Sequence, residues 1–338
     1  MVVVLSSPES PNAIDNPLTR ARPITVGDAK EAAAWIIRDF PVTPELIDDL
    51  PLLLARLVRD EVLRGEAIEY FYGSSRQPVL AGFGLTGFLH ESYAAKYLAA
   101  PFPYLELDLL DRARESGGSG QFLDLDDVAQ ANAREGLTAV PLLWLQRSND
   151  PISPETENLQ LANQQSFMRV HSGYRLKRII KETTADRAKA YRAGGFREHY
   201  RIPVGTPLSL SNGTLRQERV VFEAKRSDFV GALPGSFISH LFIYHPPRCG
   251  FTRFERQVLE RAAGNLTDGE IAKELGISPG AVALRWRSIY TRFATQASAW
   301  FDAETNSGSG ASRGREKRRR VISFVRDHPE ELRPYSLA

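Results

Sequence analysis

From Leu275 through Phe301 the chain has no aspartate or glutamate, yet the run PGAVALRWRSIYTRF inside it carries Arg285, Arg287 and Arg292. A helix with arginines, small residues at its start and no carboxylates has the chemistry of a major-groove reader. Guanidinium groups donate to phosphates and base edges, and a small N-terminus lets the backbone come close. Ser278 is placed to cap this helix, and Pro279 suits its first position. Val282, Trp286, Ile289 and Phe293 fall on one apolar stripe. The opposite side holds Gly280, Leu284, Arg287 and Thr291, with Ala283 at its edge and Arg285 and Arg292 flanking.

Such a helix must be held by others. Thr252–Ala263 reads as a first helix with Phe254, Val258, Leu259 and Ala262 at helical spacing, stopped by Gly264. Thr267-Asp268-Gly269-Glu270 has the spacing of a capping box and starts a second helix, whose core face is Ile271, Ala272 and Leu275. Gly276 permits a tight turn and Ile277 returns to the core. The predicted DNA contacts are Thr267, Lys273, Ser278, Pro279, Gly280, Ala281, Ala283, Leu284, Arg285, Arg287, Thr291 and Arg292.

At these residues the chain resembles the LuxR-type (GerE-type) helix-turn-helix of bacterial transcription regulators. The shared pattern runs F-T-x-x-E-x-x-V-L, then T-D-x-E-I-A-x-x-L-x-I-S-x-x-x-V, over Phe251–Ala294. The resemblance implies binding of double-stranded DNA and a fourth helix that pairs two modules, for which Ala297, Trp300 and Phe301 are the apolar residues at hand. The chain departs from the family where Ala281 and Ala283 replace its usual threonine and lysine, and where Arg285 replaces its histidine. The resemblance therefore implies a different operator.

The rest of the chain is read more coarsely. Its 338 residues, 42% hydrophobic and 25% charged, suggest about two globular domains. The positive charge is uneven: residues 246–338 hold 16 Lys and Arg against 11 Asp and Glu, and the residues before them 27 against 30. A polyanion partner needs its cations gathered in this way. With one cysteine, Cys249, no internal disulfide and no cysteine-based zinc cluster is possible. No apolar run reaches the roughly 18 residues of a membrane span. A cytoplasmic protein, nucleoid-associated when bound, is expected.

Residues 1–25 are predicted to be a disordered lead-in, 26–245 an α+β sensory or regulatory domain with a mostly antiparallel sheet, and 246–251 a linker. The small all-α helix-turn-helix domain takes 252–303. Residues 304–338 are predicted to be a flexible linker, a basic block and a short C-terminal helix. The block, Arg313, Arg315, Lys317, Arg318, Arg319 and Arg320, is a candidate DNA arm. Helices are expected at Val26–Phe40, Thr43–Arg64, Glu91–Ala99, Asp124–Glu135 and across most of Pro154–Gly194. Strands are expected at Ala67–Tyr72, Val79–Leu89, Ala139–Gln146, Phe196–Ile202, Leu208–Ser211, Val220–Lys225 and Ser236–Tyr244. Gly82, Gly84 and Gly87 inside one strand indicate a close approach of backbone to a neighbour or ligand. Asp124, Asp126 and Asp127 lack the further ligands of a calcium loop and read as helix capping.

No catalytic set is visible: His90, His171, His199 and His240 lie far apart in the chain. The expectation is a transcriptional regulator and no enzyme, without metal or cofactor, binding a near-palindromic site as a homodimer, with a small-molecule effector acting on the N-terminal domain. One other resemblance gives the alternative. The stretch AYRAGGFREHYRI looks like the helix-to-strand ending of N-acetyltransferase folds, which implies an acyltransferase-like enzyme domain fused to a DNA-binding tail.

Overall fold

The computed structural model describes residues 18–71, 78–147, 154–229, 236–297 and 310–336. One eight-stranded sheet dominates. Its strands are β1 (Leu18–Pro23), β2 (Leu63–Arg64), β3 (Glu66–Phe71), β4 (Val79–Leu89), β5 (Leu137–Gln146), β6 (Leu176–Thr184), β7 (Arg197–Ile202) and β8 (Arg219–Lys225). They lie in the order β1-β3-β4-β5-β6-β8-β7, with β2 pairing β4 at one end. Every pairing is antiparallel except β5 with β6. That parallel pairing covers only Leu137–Ala139 against Leu176–Ile179, so the two strands part as they run toward their C-terminal ends.

Helices α1 (Ala29–Asp39), α2 (Pro44–Arg59), α3 (Glu91–Ala99) and α4 (Leu105–Ser116) cover one face. Trp35, Ile36, Leu50 and Leu54 bury against Phe83, Leu85, Val140, Ile180 and Val221 there. Helices α5 (Leu125–Ala133), α6 (Pro154–His171) and α7 (Ala188–Ala193) cover the other, where Val128, Phe167 and Ala188 meet Ala139, Ile179 and Phe222. Ile179 and Ile180 enter opposite cores because successive strand residues point to opposite faces. The glycines of β4 make the predicted close approach, and the neighbours are aromatic side chains. A Cβ on Gly82 would lie 3.0 Å from the Trp144 ring, and one on Gly87 only 2.4 Å from Phe122.

A third core belongs to the C-terminal helices α8 (Arg253–Ala263), α9 (Asp268–Leu275), α10 (Pro279–Gln296) and α11 (Gly310–Asp327). Thr252 and Thr267 each close a capping box, and the Ser278 hydroxyl accepts from the Ala281 N–H at 3.1 Å. The caps at Thr267 and Ser278 stand where the sequence places them, and Thr252, expected as the first helical residue, is itself the cap of α8. Val258, Leu259, Ile271, Val282, Ile289 and Phe293 fill the core, joined by Val321, Phe324 and Val325 of α11.

Several expectations are corrected. Leu18–Pro23, inside the predicted lead-in, is an edge strand paired with β3; residues 1–17 lie outside the described residues. The predicted helix at Thr43–Arg64 stops at Arg59, and Leu63–Arg64 is strand. Pro154–Gly194 is mostly helical, as expected, in α6 and α7, but β6 lies unread in its middle. Gly173, at φ +81°, ends the α6 turn, and the Leu-Lys-Arg-Ile-Ile run that follows is buried on both faces, which hides the period of two. Leu208–Ser211 is an irregular segment, with only Pro207 bridging to Thr214. Ser236–Tyr244 is no strand: Phe237–Phe242 forms a short 3-10 helix that buries Ile238, Leu241 and Phe242. The basic block lies within the first half of α11, so the C-terminal helix is longer than expected and includes it, anchored by the apolar residues that follow. Helix α10 ends at Gln296, and Ala297 is buried in the third core; Trp300 and Phe301 lie outside the described residues.

Candidate functional site

The opening between β5 and β6 is crossed by one side chain. Lys181 of β6 donates from Nζ to the Pro141 and Leu142 carbonyls of β5, each at 2.9 Å. Burial pulls its ammonium down to about 8, against the pull of Glu106 and Glu182. Beside it Glu182 accepts from the backbone N–H groups of Tyr104 (2.8 Å) and Leu105 (2.9 Å) and from the Tyr97 hydroxyl (3.1 Å). Those two N–H groups open helix α4, so Glu182 sits as an anion at a helix N-terminus. Arg219 of β8 donates from Nε to Glu182 and from Nη2 to Glu106 at 2.8 Å. Its guanidinium also lies 4.4 Å from the centre of the Tyr104 ring.

Two carboxylates and two cations are thus buried together, with formal charges in balance. Burial pushes the Glu106 carboxyl above the usual carboxylate range, and the nearby Glu182 adds to the shift that Arg219 opposes. Burial likewise holds the Tyr97 hydroxyl well above its ordinary value. Buried ionic clusters are costly, and a carboxyl with perturbed acidity, here Glu106, beside a lysine and two tyrosines can accept and return a proton. Tyr104 also lines a small surface depression with Pro41, Pro103, Leu107 and Leu208. Tyr104 itself is left-handed, at φ +64°, held there by the bonds to Glu182.

None of these residues was singled out from the sequence. They come from α3, α4, β6 and β8, spread over 123 positions, and only the strand order brings them together. Of His90, His171, His199 and His240, His171 is the most enclosed. It bonds the Thr86 hydroxyl (3.0 Å) and the Phe167 carbonyl (2.7 Å), and burial lowers it to about 4. It is a neutral structural residue near pH 7. Asp124 caps α5 by accepting from the N–H groups of Asp126 and Asp127, in agreement with the capping reading. Among the described residues no cluster of histidine, cysteine, aspartate and glutamate has a metal-binding arrangement. Among them, too, no helix is long and apolar enough to cross a membrane.

The residues expected to meet DNA are distributed as follows. Thr267, Lys273, Ser278, Pro279, Gly280, Ala283, Leu284, Arg285, Arg287 and Thr291 are exposed, and Ala281 is half-buried. Leu284 is 61% exposed, too open to belong to the core stripe. Arg285 lies over the exposed Phe254 ring, 5.1 Å from its centre. Arg292 pairs with Glu255 at 3.0 Å and is half-buried. In the basic block, Arg318 bonds Asp268 at 2.8 Å and covers Trp286, whose indole N–H donates to the same aspartate. Arg319 and Arg320 pair with Glu316, at 2.8 and 3.1 Å. Arg315 is exposed and Lys317 half-buried, while the Arg313 side chain lies outside the described residues.

No protein-family model matches the chain, and no curated protein matches it. Solved structures do. The spermidine/spermine N-acetyltransferase SpeG from Vibrio cholerae, in mutant form, is 12% identical, with 63% of this chain and 96% of that chain covered and a TM-score of 0.36. NAA60 of Arabidopsis thaliana, solved with acetyl-CoA, is 12% identical over 62% of this chain and 98% of that one, at a TM-score of 0.34. FeeM, an N-acyl amino acid synthase from uncultured soil microbes, is 13% identical over 62% and 94%, at 0.33. The sheet-bearing part of the chain is a mixed α/β domain with a mostly antiparallel sheet, followed by a helical C-terminal region. The solved structures it matches are enzymes, against the expectation that the chain is none.

Proposed function

We propose that the chain is an acyltransferase-like enzyme domain joined to a DNA-binding helical tail. The carrying observation is the opening between β5 and β6, the one parallel junction in an otherwise antiparallel sheet. Ligands of open α/β sheets bind where neighbouring strands diverge at their carboxyl ends. Here that place is bordered by Lys181, Glu182, Glu106, Tyr97 and Arg219, groups suited to moving a proton. The reaction is transfer of an acyl group from a thioester to an amine: the C–S bond breaks, a C–N bond forms, and the acceptor's proton leaves to a carboxylate. The sequence between β5 and α6 reads Arg147-Ser148-Asn149-Asp150-Pro151-Ile152-Ser153, without a glycine. A glycine cradle for a pyrophosphate is not provided there, so the donor is assigned by class, as an acyl thioester.

The test is release of free thiol from acetyl-CoA and from a phosphate-free acetyl thioester, with spermidine as acceptor. Turnover above the uncatalysed rate is expected with at least one donor, falling roughly 10²-fold in Glu182→Gln, the loss typical of a proton-transfer group. No thiol release with either donor would remove the enzyme reading.

The DNA-binding half rests on the resemblance at Phe251–Ala294, the three helix caps and the exposed arginines of α10. Specific and non-specific binding differ in how they respond to Arg287→Ala. A phosphate contact predicts uniform weakening across sequences and a salt slope reduced by about 1. Binding isotherms at several salt concentrations read this directly, and a loss confined to one base position would instead assign Arg287 to a guanine. Pairing of two chains on a symmetric site is part of the same proposal.

A further inference from the structure

The C-terminal helices dock on the sheet domain through a seam of charged side chains. Glu61, left-handed at φ 57°, accepts from Arg253 and from Gln257 of α8, each at 2.7 Å. Arg333, after α11, reaches the Ser172 carbonyl (2.8 Å) and lies over the Tyr174 ring, with the Glu260 carboxylate 3.7 Å away. The two carboxylates of the seam are therefore each engaged by one arginine. Two further guanidiniums remain. Arg64 of β2 donates from Nε to the Glu61 carbonyl (3.2 Å) and from Nη1 to the Tyr174 hydroxyl, while its Nη2 is buried with no partner. Arg256 of α8 donates from Nη1 to the Phe251 carbonyl at 2.8 Å. Neither has a carboxylate within salt-bridge distance among the described residues.

A buried, unsatisfied guanidinium nitrogen is costly, and two like charges brought near one another by docking add to the cost. Burial weakens the hold of Arg256 on its proton, Glu260 and Glu61 strengthen it, and Arg64 opposes them. The seam gathers four guanidiniums, Arg64, Arg253, Arg256 and Arg333, against the two carboxylates Glu61 and Glu260, so negative charge is in short supply. We propose that the seam is an anion site, in which Arg64 and Arg256 together take one small oxyanion of the phosphate or carboxylate class. Arg64 belongs to the sheet domain and Arg256 to α8, so the anion would tie the helical region to the sheet.

The test is thermal unfolding of the full chain with inorganic phosphate and, separately, acetate, each against chloride at equal ionic strength. A saturable rise of a few degrees in midpoint is expected, since a ligand bound only by the folded form stabilises it. The arm that produces the rise tells phosphate from carboxylate. The rise should be lost in Arg64→Met and in Arg256→Gln and retained in Arg197→Gln, on the exposed edge strand β7. Arg256→Gln, half-buried on α8, decides the matter if Arg64→Met does not fold. No rise above chloride in the wild type, or the same rise in Arg256→Gln, would overturn the proposal.

Discussion

Arg219→Met is expected to lower the unfolding free energy by about 3–5 kcal/mol, read by denaturant titration near pH 7. Arg219 is the one cation that donates to both Glu106 and Glu182. Methionine has similar length and no charge, so the loss reports two buried carboxylates deprived of their partner. Lys181 stays, but its ammonium is engaged by the Pro141 and Leu142 carbonyls. Adding Glu106→Gln and Glu182→Gln to Arg219→Met should return much of the stability, because a buried pair replaced as a whole costs far less than a pair broken. A single-variant loss below about 1 kcal/mol would place this cluster in water-like surroundings.

The same variant should change the pH dependence. A carboxyl whose folded-state acidity is already weakened, as at Glu106, keeps its proton in the native state over a window where the unfolded chain has lost it. In that window stability falls as pH rises, beginning above the ordinary carboxylate value. Removing Arg219 widens the window, so the variant and the wild type should converge toward acid and separate toward neutrality.

How much of this was legible in the sequence depends on whether the signal is local. Thr267 and Ser278 are caps whose partners lie three residues away, and the structure places them as read. Glu91–Ala99 is a helix of the length expected, and the glycines of β4 mark a real close approach. The failures are non-local. The lysine-rich strand β6 has apolar residues at spacings that also suit a helix, and only its two buried faces decide otherwise. Helix α4 went unread because its buried residues include Glu106 and Asp108, which break the apolar stripe; Asp108 is held by Tyr93 and Arg112, and Glu106 by Arg219. The cluster at the β5–β6 opening was invisible for the same reason. Its charges look like solvated surface until the strand order brings β8 beside β6.

Gly173→Ala is expected to destabilise the chain strongly. Gly173 is left-handed, at φ +81°, and an added Cβ would lie 2.3 Å from the Glu330 nitrogen and 2.5 Å from the Pro329 carbonyl carbon. Both are backbone atoms, so no rotamer change relieves the contact. The segment that would have to move carries Arg333, which bonds the Ser172 carbonyl, and Pro334, whose carbonyl accepts from Asn132 at 2.8 Å. It also carries Glu331, which receives the N–H groups of Arg248 (2.8 Å) and Cys249 (3.0 Å). Gly276→Ala provides the reference: its φ is +64°, yet nothing lies within 4 Å of the added Cβ, so it measures left-handed strain alone, about 1–2 kcal/mol. Gly173→Ala should exceed it by at least about 1.4 kcal/mol, with amide exchange in 329–336 accelerated tenfold or more relative to the reference variant. Equal cost in the two variants would mean that the tail yields freely, and that its bonds to α6 do not hold the helical region against the sheet.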